Sequence, residues 1–283
     1  ITRRDFLRGT AAVAGIAAVG MGVHSLLIEP RDLAIERLDI RLRRLPEAFD
    51  GFRIVQISDI HYGPYMGRRG VQAAVDAAIA LRPDAVVLTG DFVSHDVGRC
   101  NGPEGARHAE PCADVLRQFA PVPAFAVLGN HDHWNNATIV AGAFHDAGLQ
   151  MLRNQALALE RAAARLWIAG IDDAWAGTAD LPHTLRRVPA GEATVVLVHE
   201  PDVADYVARF PVDLQLSGHS HGGQVRLPGI GPIILPSMAQ KYPEGLNRVG
   251  NLQVYTNRGI GVIAPPVRFN CPPEVTLITL RSA

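Results

Sequence analysis

Five short apolar runs in this chain each end in residues of a type that binds metal ions, and this repeated pattern constrains the fold most. The first run, residues 53–57, is rich in β-branched residues, which predicts a buried strand, and Asp59 and His61 follow it. Side chains two apart in an extended segment point to the same side, so both can reach one metal ion. The other four runs end in residues of the same kind, at Asp91, Asn130, His199, and His219 with His221.

The order of these motifs resembles that of the calcineurin-like metallophosphoesterases. The motifs that carry the resemblance are Asp59-x-His61, Gly90-Asp91, Gly129-Asn130-His131-Asp132, His199 and Gly218-His219-x-His221. Residues 218–224, 257–261 and 265–269 resemble one bacterial subgroup, whose members are exported or membrane-anchored phosphoesterases of the cell envelope. The resemblance implies an α/β fold, a four-layer α/β/β/α sandwich of two mixed sheets flanked by helices.

The resemblance also implies two divalent metal ions and a ligand set for each. Asp59, His61 and His221 would hold the first ion, and Asn130, His199 and His219 would hold the second. Asp91 would bridge them, because a carboxylate has two oxygens and a charge, whereas an imidazole cannot bridge. Mixed nitrogen and oxygen ligands suit Mn, Fe or Zn better than Ca or Mg, which prefer oxygen ligands only.

Residues beside these ligands carry the remaining predictions for the site. In the family pattern His131 stabilises the phosphoryl transition state or protonates the leaving group, and Asp132 would orient its ring. His133 is predicted to line the pocket. Arg258 is predicted to bind substrate phosphate, with a salt bridge as the alternative. His95 lies in a long polar loop, residues 92–111, and is interpreted as a solvated side chain, with contact to the substrate as the alternative.

The rest of the chain predicts alternating strands and helices. We expect a half-solvated strand within residues 33–43, where the alternation is clearest at 38–43, and antiparallel strands within residues 149–170. Helices are expected at residues 70–81, 113–119, 136–148, 181–187 and 201–210. Late strands are expected near residues 224–227, 252–256 and 274–280.

Composition excludes some classes of protein. A chain of 283 residues that is 48% hydrophobic can bury a substantial core, so it is not predicted to be disordered. A net charge of −1 argues against nucleic acid as a partner, because such binding needs a cationic surface. Cys100 and Cys112 flank a loop and could pair in an oxidising compartment, or stay as two thiols.

The N-terminus resembles a twin-arginine export signal. Arg3 and Arg4 precede Phe6, Leu7 and Arg8, and residues 9–28 are mildly apolar without an acidic residue. We therefore divide the chain into residues 1–30, a cleaved signal or a retained membrane anchor, and residues 31–283, a metallophosphoesterase domain. The expected location is the periplasm, the cell wall or the outer face of the cytoplasmic membrane. The expected partner is the twin-arginine export machinery, with membrane association if the anchor is kept.

These inferences together predict a hydrolase. A metal-bound hydroxide would attack phosphorus directly in a phosphodiester, phosphomonoester or pyrophosphate of wall or lipid components, because no serine or cysteine nucleophile motif occurs. One alternative is a pyrophosphatase of the UDP-diacylglucosamine type, acting on a lipid precursor. The other is a catalytically silent, metal-dependent binding protein.

Overall fold

The structure is a computed structural model, and it describes residues 2–95 and 103–283. Cys100 lies outside these residues, so the disulfide with Cys112 and the alternative of two thiols both stay predictions. Cys112 itself is fully buried. The strands, in chain order from β1 to β14, are Ala34–Leu42, Arg53–Ile57, Ala85–Thr89, Ala124–Val127, Gln150–Met151, Gln155–Arg161, Ala164–Gly170, Ala193–Leu197, Leu214–Ser217, Arg226–Leu227, Gly231–Pro232, Gly245–Val249, Leu252–Thr256 and Glu274–Ser282. The α-helices, from α1 to α6, are Arg3–Val23, Arg68–Ala80, Ala109–Leu116, Asn130–Asp146, Leu181–Leu185 and Ala204–Val207.

Two mixed six-stranded sheets form the centre of the fold. The first has the order β1-β14-β2-β3-β4-β5, and the second has the order β12-β13-β9-β8-β7-β6. In the first sheet β2, β3, β4 and β5 are parallel, and β14 runs antiparallel to β2. In the second sheet β7, β8, β9 and β13 are parallel, and the two edge strands are antiparallel. The predicted mixed sheets are confirmed.

Three apolar layers hold the sheets and helices together. Between the sheets, side chains such as Ile54, Val87 and Leu197 are buried with less than 1% exposure. On the outer face of the first sheet, α2, α3 and α4 cover a second layer that includes Val75 and Phe144. On the outer face of the second sheet, α5 and α6 cover a third, smaller layer. Two sheets with helices on both outer faces make the predicted four-layer sandwich.

Helix α4 starts six residues earlier than the sequence predicts. We expect a helix from residue 136, but α4 begins at Asn130, and its backbone is extended only at Asn136, where φ is 179°. Asp132 explains the earlier start, because its carboxylate accepts the N–H of Gly129, the residue that caps the helix. The Asn130-His131 motif therefore forms the first turn of α4 rather than a loop before it.

The N-terminal segment is helical. Residues from Arg3 to Arg31 form a continuous helical stretch that passes from α1 through a π-helical turn at His24–Ile28 and a 3₁₀ turn at Glu29–Arg31. It is long and apolar enough to cross a membrane, a test that signal sequences near an N-terminus also pass. Its apolar side chains, among them Val13, Ile16 and Val19, are exposed.

Candidate metal centre

The predicted ligands come together at one end of the sandwich, where parallel strands of both sheets finish. Asp59 and His61 follow β2, Asp91 follows β3, and Asn130 follows β4. From the second sheet, His199 follows β8, and His219 and His221 follow β9. Because both sheets end at the same edge, side chains far apart in sequence reach a common space. All seven side chains are buried.

Five of these residues have a backbone conformation that side chains rarely adopt. The φ angles are 49° at Asp59, 49° at His61, 57° at Asp91, 70° at His219 and 49° at His221. Such conformations cost of order 1 kcal/mol each and persist where the surrounding structure imposes them, often at functional sites. Here they turn each side chain inward immediately after its strand.

Three of the predicted ligands form the first group. The Nε2 atoms of His61 and His221 lie 3.0 Å apart, and Nε2 of His221 is 3.4 Å from Oδ1 of Asp59. The backbone N–H of His219 donates to both carboxylate oxygens of Asp59, at 3.0 Å each, which fixes the orientation of that carboxylate. The three side chains could hold one metal ion.

The second group is centred on Asp91. Its Oδ2 lies 3.1 Å from Nε2 of His199 and 3.5 Å from Nε2 of His61. Nδ1 of His199 donates to the carbonyl of Thr89 at 2.7 Å, and Nε2 of His219 donates to the carbonyl of Ser237 at 2.9 Å. Each imidazole therefore keeps its other nitrogen as a lone-pair ligand. Asp91, His199 and His219 could hold a metal ion.

The unpaired atoms of the site fit a cation. Nε2 of His199 and Oδ1 of Asn130 are buried and have no hydrogen-bond partner in the described part of the chain. Nε2 of His199 faces the Asp91 carboxylate at 3.1 Å, so a positive charge is needed there: either a proton on Nε2, which the raised pKa of His199 favours in the metal-free protein, or a cation between the two groups. A divalent ion with nitrogen and oxygen ligands resolves both problems, so the residues suit Mn, Fe or Zn.

Charges within the cluster shift the pKa values of its members. Burial acts to raise the pKa of Asp91, but the imidazoles of His199 and His131 outweigh it and hold that pKa well below its ordinary value. Burial raises the pKa of Asp59 to about 7, and the nearby Asp91 charge adds to the shift. Two buried carboxylates at close range require positive charge to remain ionised together.

Asp132 does not orient the ring of His131, and this corrects the sequence-based expectation. Its carboxylate accepts four backbone N–H groups: those of Asp91, Phe92, Val93 and Gly129, at 2.8–3.2 Å. Burial raises the pKa of Asp132 to about 7, and the N–H donors oppose that shift. The side chain therefore fixes the backbone of the loop that carries Asp91.

His131 borders the cavity beside the ligands. Its backbone N–H donates to Oδ1 of Asp91 at 2.8 Å, and its ring packs edge-on against His61 with centroids 4.7 Å apart. Nδ1 of His131 is buried without a partner in the described residues, and burial lowers the pKa of this histidine. A neutral imidazole that lines the cavity can accept a proton and pass it on, which suits a proton-transfer role.

His95 lies beside the site, although the sequence favours a solvated side chain over the alternative of contact with the substrate. Although its loop reads as solvated, its side chain is buried, with its ring 5.0 Å from that of His131 and 6.3 Å from that of Trp134. Neither ring nitrogen has a hydrogen-bond partner among the described residues. The only available signal was its position four residues after Asp91.

His133 and Arg258 do not line the cavity over the predicted ligands. Each pairs with carboxylates elsewhere. Nε2 of His133 lies 2.8 Å from Oδ1 of Asp172, and this carboxylate raises the pKa of His133 despite its partial burial. The guanidinium of Arg258 pairs with Glu274 and Glu36, each at 2.6 Å. For Arg258 the salt bridge, the alternative that the sequence left open, is what the structure contains.

A cavity of 490 Å³ lies over the cluster. Its polar floor is formed by Asp91, Asn130, His131, His219 and His221. Trp134 and Trp175, with ring centroids 5.2 Å apart, stand at its side, and the ring of Trp175 is 5.7 Å from that of His219. A substrate in this cavity would meet the predicted ligands directly.

Comparison with known proteins defines the class of protein. The family model described as "Calcineurin-like phosphoesterase" matches residues 52–223, which include every predicted metal ligand. The chain therefore belongs to the calcineurin-like phosphoesterase family. It is a metallophosphoesterase, an enzyme that hydrolyses phosphoric ester bonds, and its His and Asp clusters could bind metal ions.

Individual relatives match over nearly their whole length. The chain is 36% identical to "Uncharacterized metallophosphoesterase YkuE" of Bacillus subtilis, covering 100% of this chain and 98% of the relative. It is 32% identical to "Phosphodiesterase YaeI" of Escherichia coli, covering 99% of each. It is 26% identical to "UDP-2,3-diacylglucosamine pyrophosphatase LpxG" of Chlamydia muridarum, covering 96% of this chain and 97% of the relative.

Proposed function

We propose that this protein is a binuclear metal-dependent phosphoesterase of the bacterial cell envelope. One observation carries the binuclear part: the carboxylate of Asp91 lies within 3.5 Å of imidazole nitrogens from both groups, His61 in one and His199 in the other. A carboxylate in that position can bridge two ions. The substrates are phosphodiesters, phosphomonoesters or pyrophosphates of wall or lipid components.

The residues of each group have distinct tasks. Asp59, His61 and His221 would hold one ion, Asn130, His199 and His219 would hold the other, and Asp91 would contribute to both. Divalent ions held there would neutralise phosphoryl oxygens, keep the group in line and make water a stronger nucleophile. Asp132 keeps Asp91 in place through the four backbone bonds already described.

His131 acts on the leaving group. The oxygen of water forms a bond to phosphorus as the bond from phosphorus to the leaving oxygen breaks, and the leaving oxygen then needs a proton. The imidazole of His131, which lines the cavity, can take up the proton that the attacking water loses and pass it to the leaving oxygen. Trp134 packs against the ring of His131 with centroids 5.0 Å apart and holds it in place.

Hydrolysis assays on metal-loaded protein test this function. The panel contains bis(p-nitrophenyl) phosphate, p-nitrophenyl phosphate and a nucleotide-sugar pyrophosphate, which covers the three ester classes. We expect His219→Ala to lose turnover together with metal, and His131→Ala to keep metal but turn over about 10²–10⁴-fold more slowly. His145→Ala, an exposed histidine late in α4, serves as the matched control and should leave both unchanged.

Each outcome separates the candidate functions. Turnover confined to the pyrophosphate would favour the lipid-precursor pyrophosphatase, a candidate supported by the similarity to the Chlamydia enzyme. Metal binding without turnover of any panel member would favour the catalytically silent binding protein. Wild-type turnover in His219→Ala would refute the site.

We further propose that the twin-arginine route exports the protein to the outer side of the cytoplasmic membrane. Support comes from Arg3 and Arg4 at the start of a long apolar helix. In this division residues 1–30 act as the signal or anchor and residues 31–283 as the enzyme. Replacing both arginines by lysine should leave the protein protected from protease in intact spheroplasts, whereas the wild type should be cleaved. Equal cleavage of both would refute this route.

A further inference from the structure

The wall of the cavity is apolar, although its floor carries the ligands. Six wall residues are Val225, Ile233, Ile234, Ile263, Pro265 and Val267. Among the described residues that line the cavity there is no lysine or arginine. A sugar or nucleotide would need polar partners beyond its phosphate, whereas an alkyl chain would gain free energy by lying against this wall.

The same wall continues onto the protein surface through the hairpin β10–β11. Ile233 and Ile234 line the cavity and are also 55% and 77% exposed. Leu227 and Ile230 lie nearby on the hairpin and are exposed as well, Ile230 by 75%. Four large apolar side chains exposed within eight residues form a patch of the kind that binds a partner or a membrane.

The end of the N-terminal helical stretch contacts residues 268–271, which lie next to the hairpin. The backbone N–H of Arg268 donates to the carbonyl of Ser25 at 2.9 Å, and that of Cys271 donates to the buried carboxylate of Glu29 at 2.5 Å. Residues 268–271 also bond to the hairpin, because the backbone N–H of Arg226 donates to the carbonyl of Phe269 at 2.9 Å. Residues 267–271 therefore connect the end of the helix, the hairpin and the cavity wall, to which Val267 belongs.

A helix long enough to cross a bilayer, bonded near its C-terminal end to Arg268 and Cys271 beside the hairpin, would bring the hairpin to the membrane surface when the helix stays attached. Resting on the function proposed above, we propose that the hairpin dips into the bilayer and that the substrate is a phosphoester of a membrane lipid. Its phosphate lies over the ligands and its tail along the apolar wall.

A homologous series of substrates tests the wall. In p-nitrophenyl alkyl phosphodiesters, water adds to phosphorus and the nitrophenolate leaves, whatever the length of the alkyl group. We expect kcat/KM of the full chain to rise about three- to fourfold per methylene until the wall is covered, so the octyl ester should exceed the methyl ester at least about 100-fold. Equal values along the series would overturn the proposal, and no turnover of any ester would instead count against the proposed function.

Vesicles test the hairpin. The full chain is reconstituted in phosphatidylcholine vesicles that contain phosphatidylglycerol or a polyprenyl pyrophosphate as the probe lipid. Replacing Leu227 and Ile230 together by serine should lower hydrolysis of the probe lipid at least about tenfold and leave the soluble methyl ester unaffected. Leu246→Ser, an exposed leucine on β12, is the matched control and should lower neither. Loss in the control equal to that in the hairpin variant, or loss in neither, would overturn the proposal.

Discussion

Gly90 follows β3 and lies against Gly129 and His199, the residues that follow β4 and β8. Its replacement by alanine tests whether this close packing builds the metal centre. Gly90 has φ of +91°, in the region that favours glycine. An added Cβ would lie 2.6 Å from Nδ1 of His199 and 2.9 Å from the backbone nitrogen of Gly129. His199 cannot yield freely, because that Nδ1 donates to the carbonyl of Thr89 at 2.7 Å.

The expected cost has two parts. The left-handed backbone conformation costs an alanine about 1–2 kcal/mol. The crowding of His199 and Gly129 adds about 1–3 kcal/mol, as expected for overpacking a tight site. Gly90→Ala should therefore lower the free energy of unfolding of the metal-free protein by about 2–5 kcal/mol. Displacement of His199 should also weaken metal binding by about 10–100-fold.

A matched control separates the two parts. Gly250 has φ of +60° in the turn between β12 and β13, with no atom within 4 Å of an added Cβ. Gly250→Ala should show only the backbone cost and keep wild-type metal affinity. Urea unfolding in chelator gives the stability, and calorimetric titration with Mn²⁺ gives the affinity. If the two variants were equal in both measurements, the close approach at Gly90 would have no role in the centre.

Three other predictions follow from contacts in and around the site. Asp132→Asn at pH 8 should lower the free energy of unfolding by about 2–4 kcal/mol, because the amide NH₂ of the asparagine would face two buried N–H donors. A fall in kcat at unchanged stability would instead indicate that Asp132 orients the ring of His131. His133→Gln should lower the free energy of unfolding in urea by about 1–3 kcal/mol near pH 6 and by less near pH 9. The bond to Asp172 raises the pKa of His133, so the stability that this ion pair contributes is lost as pH rises through that pKa. A loss that does not depend on pH would contradict the ion pair. His95→Ala should lower turnover by about 10–100-fold with metal content retained, and wild-type turnover would exclude His95 from the site.

The sequence predicts the ligand positions because each follows a short apolar run that can only be a buried strand. Strands of this length end where the chain becomes polar, so residues such as Asp59 and His199 are assigned to the strand ends from local pattern alone. The same pattern predicts β13 at residues 252–256 with correct boundaries. It does not predict β12, whose five residues lie at a half-exposed sheet edge without a strong alternation.

The roles of neighbouring side chains depend on contacts between distant parts of the chain, which local pattern does not contain. Asp132 bonds to backbone groups 39–41 residues away, and that is why its role differs from the expected one. His95 sits in a polar loop, yet packing against His131 and Trp134 buries it. Arg258 pairs with Glu36, which is 222 residues distant in sequence.

The number of metal ions per chain tests the central claim most directly. The full chain is loaded with Mn²⁺, free ion is removed, and metal and protein are quantified on the same sample, in parallel with Asp91→Ala. We expect about two ions per wild-type chain and a clear loss in Asp91→Ala, because the Asp91 carboxylate lies near an imidazole of each group, His61 and His199. One ion or none in the wild type, or an unchanged ratio in Asp91→Ala, would contradict a bridged binuclear centre.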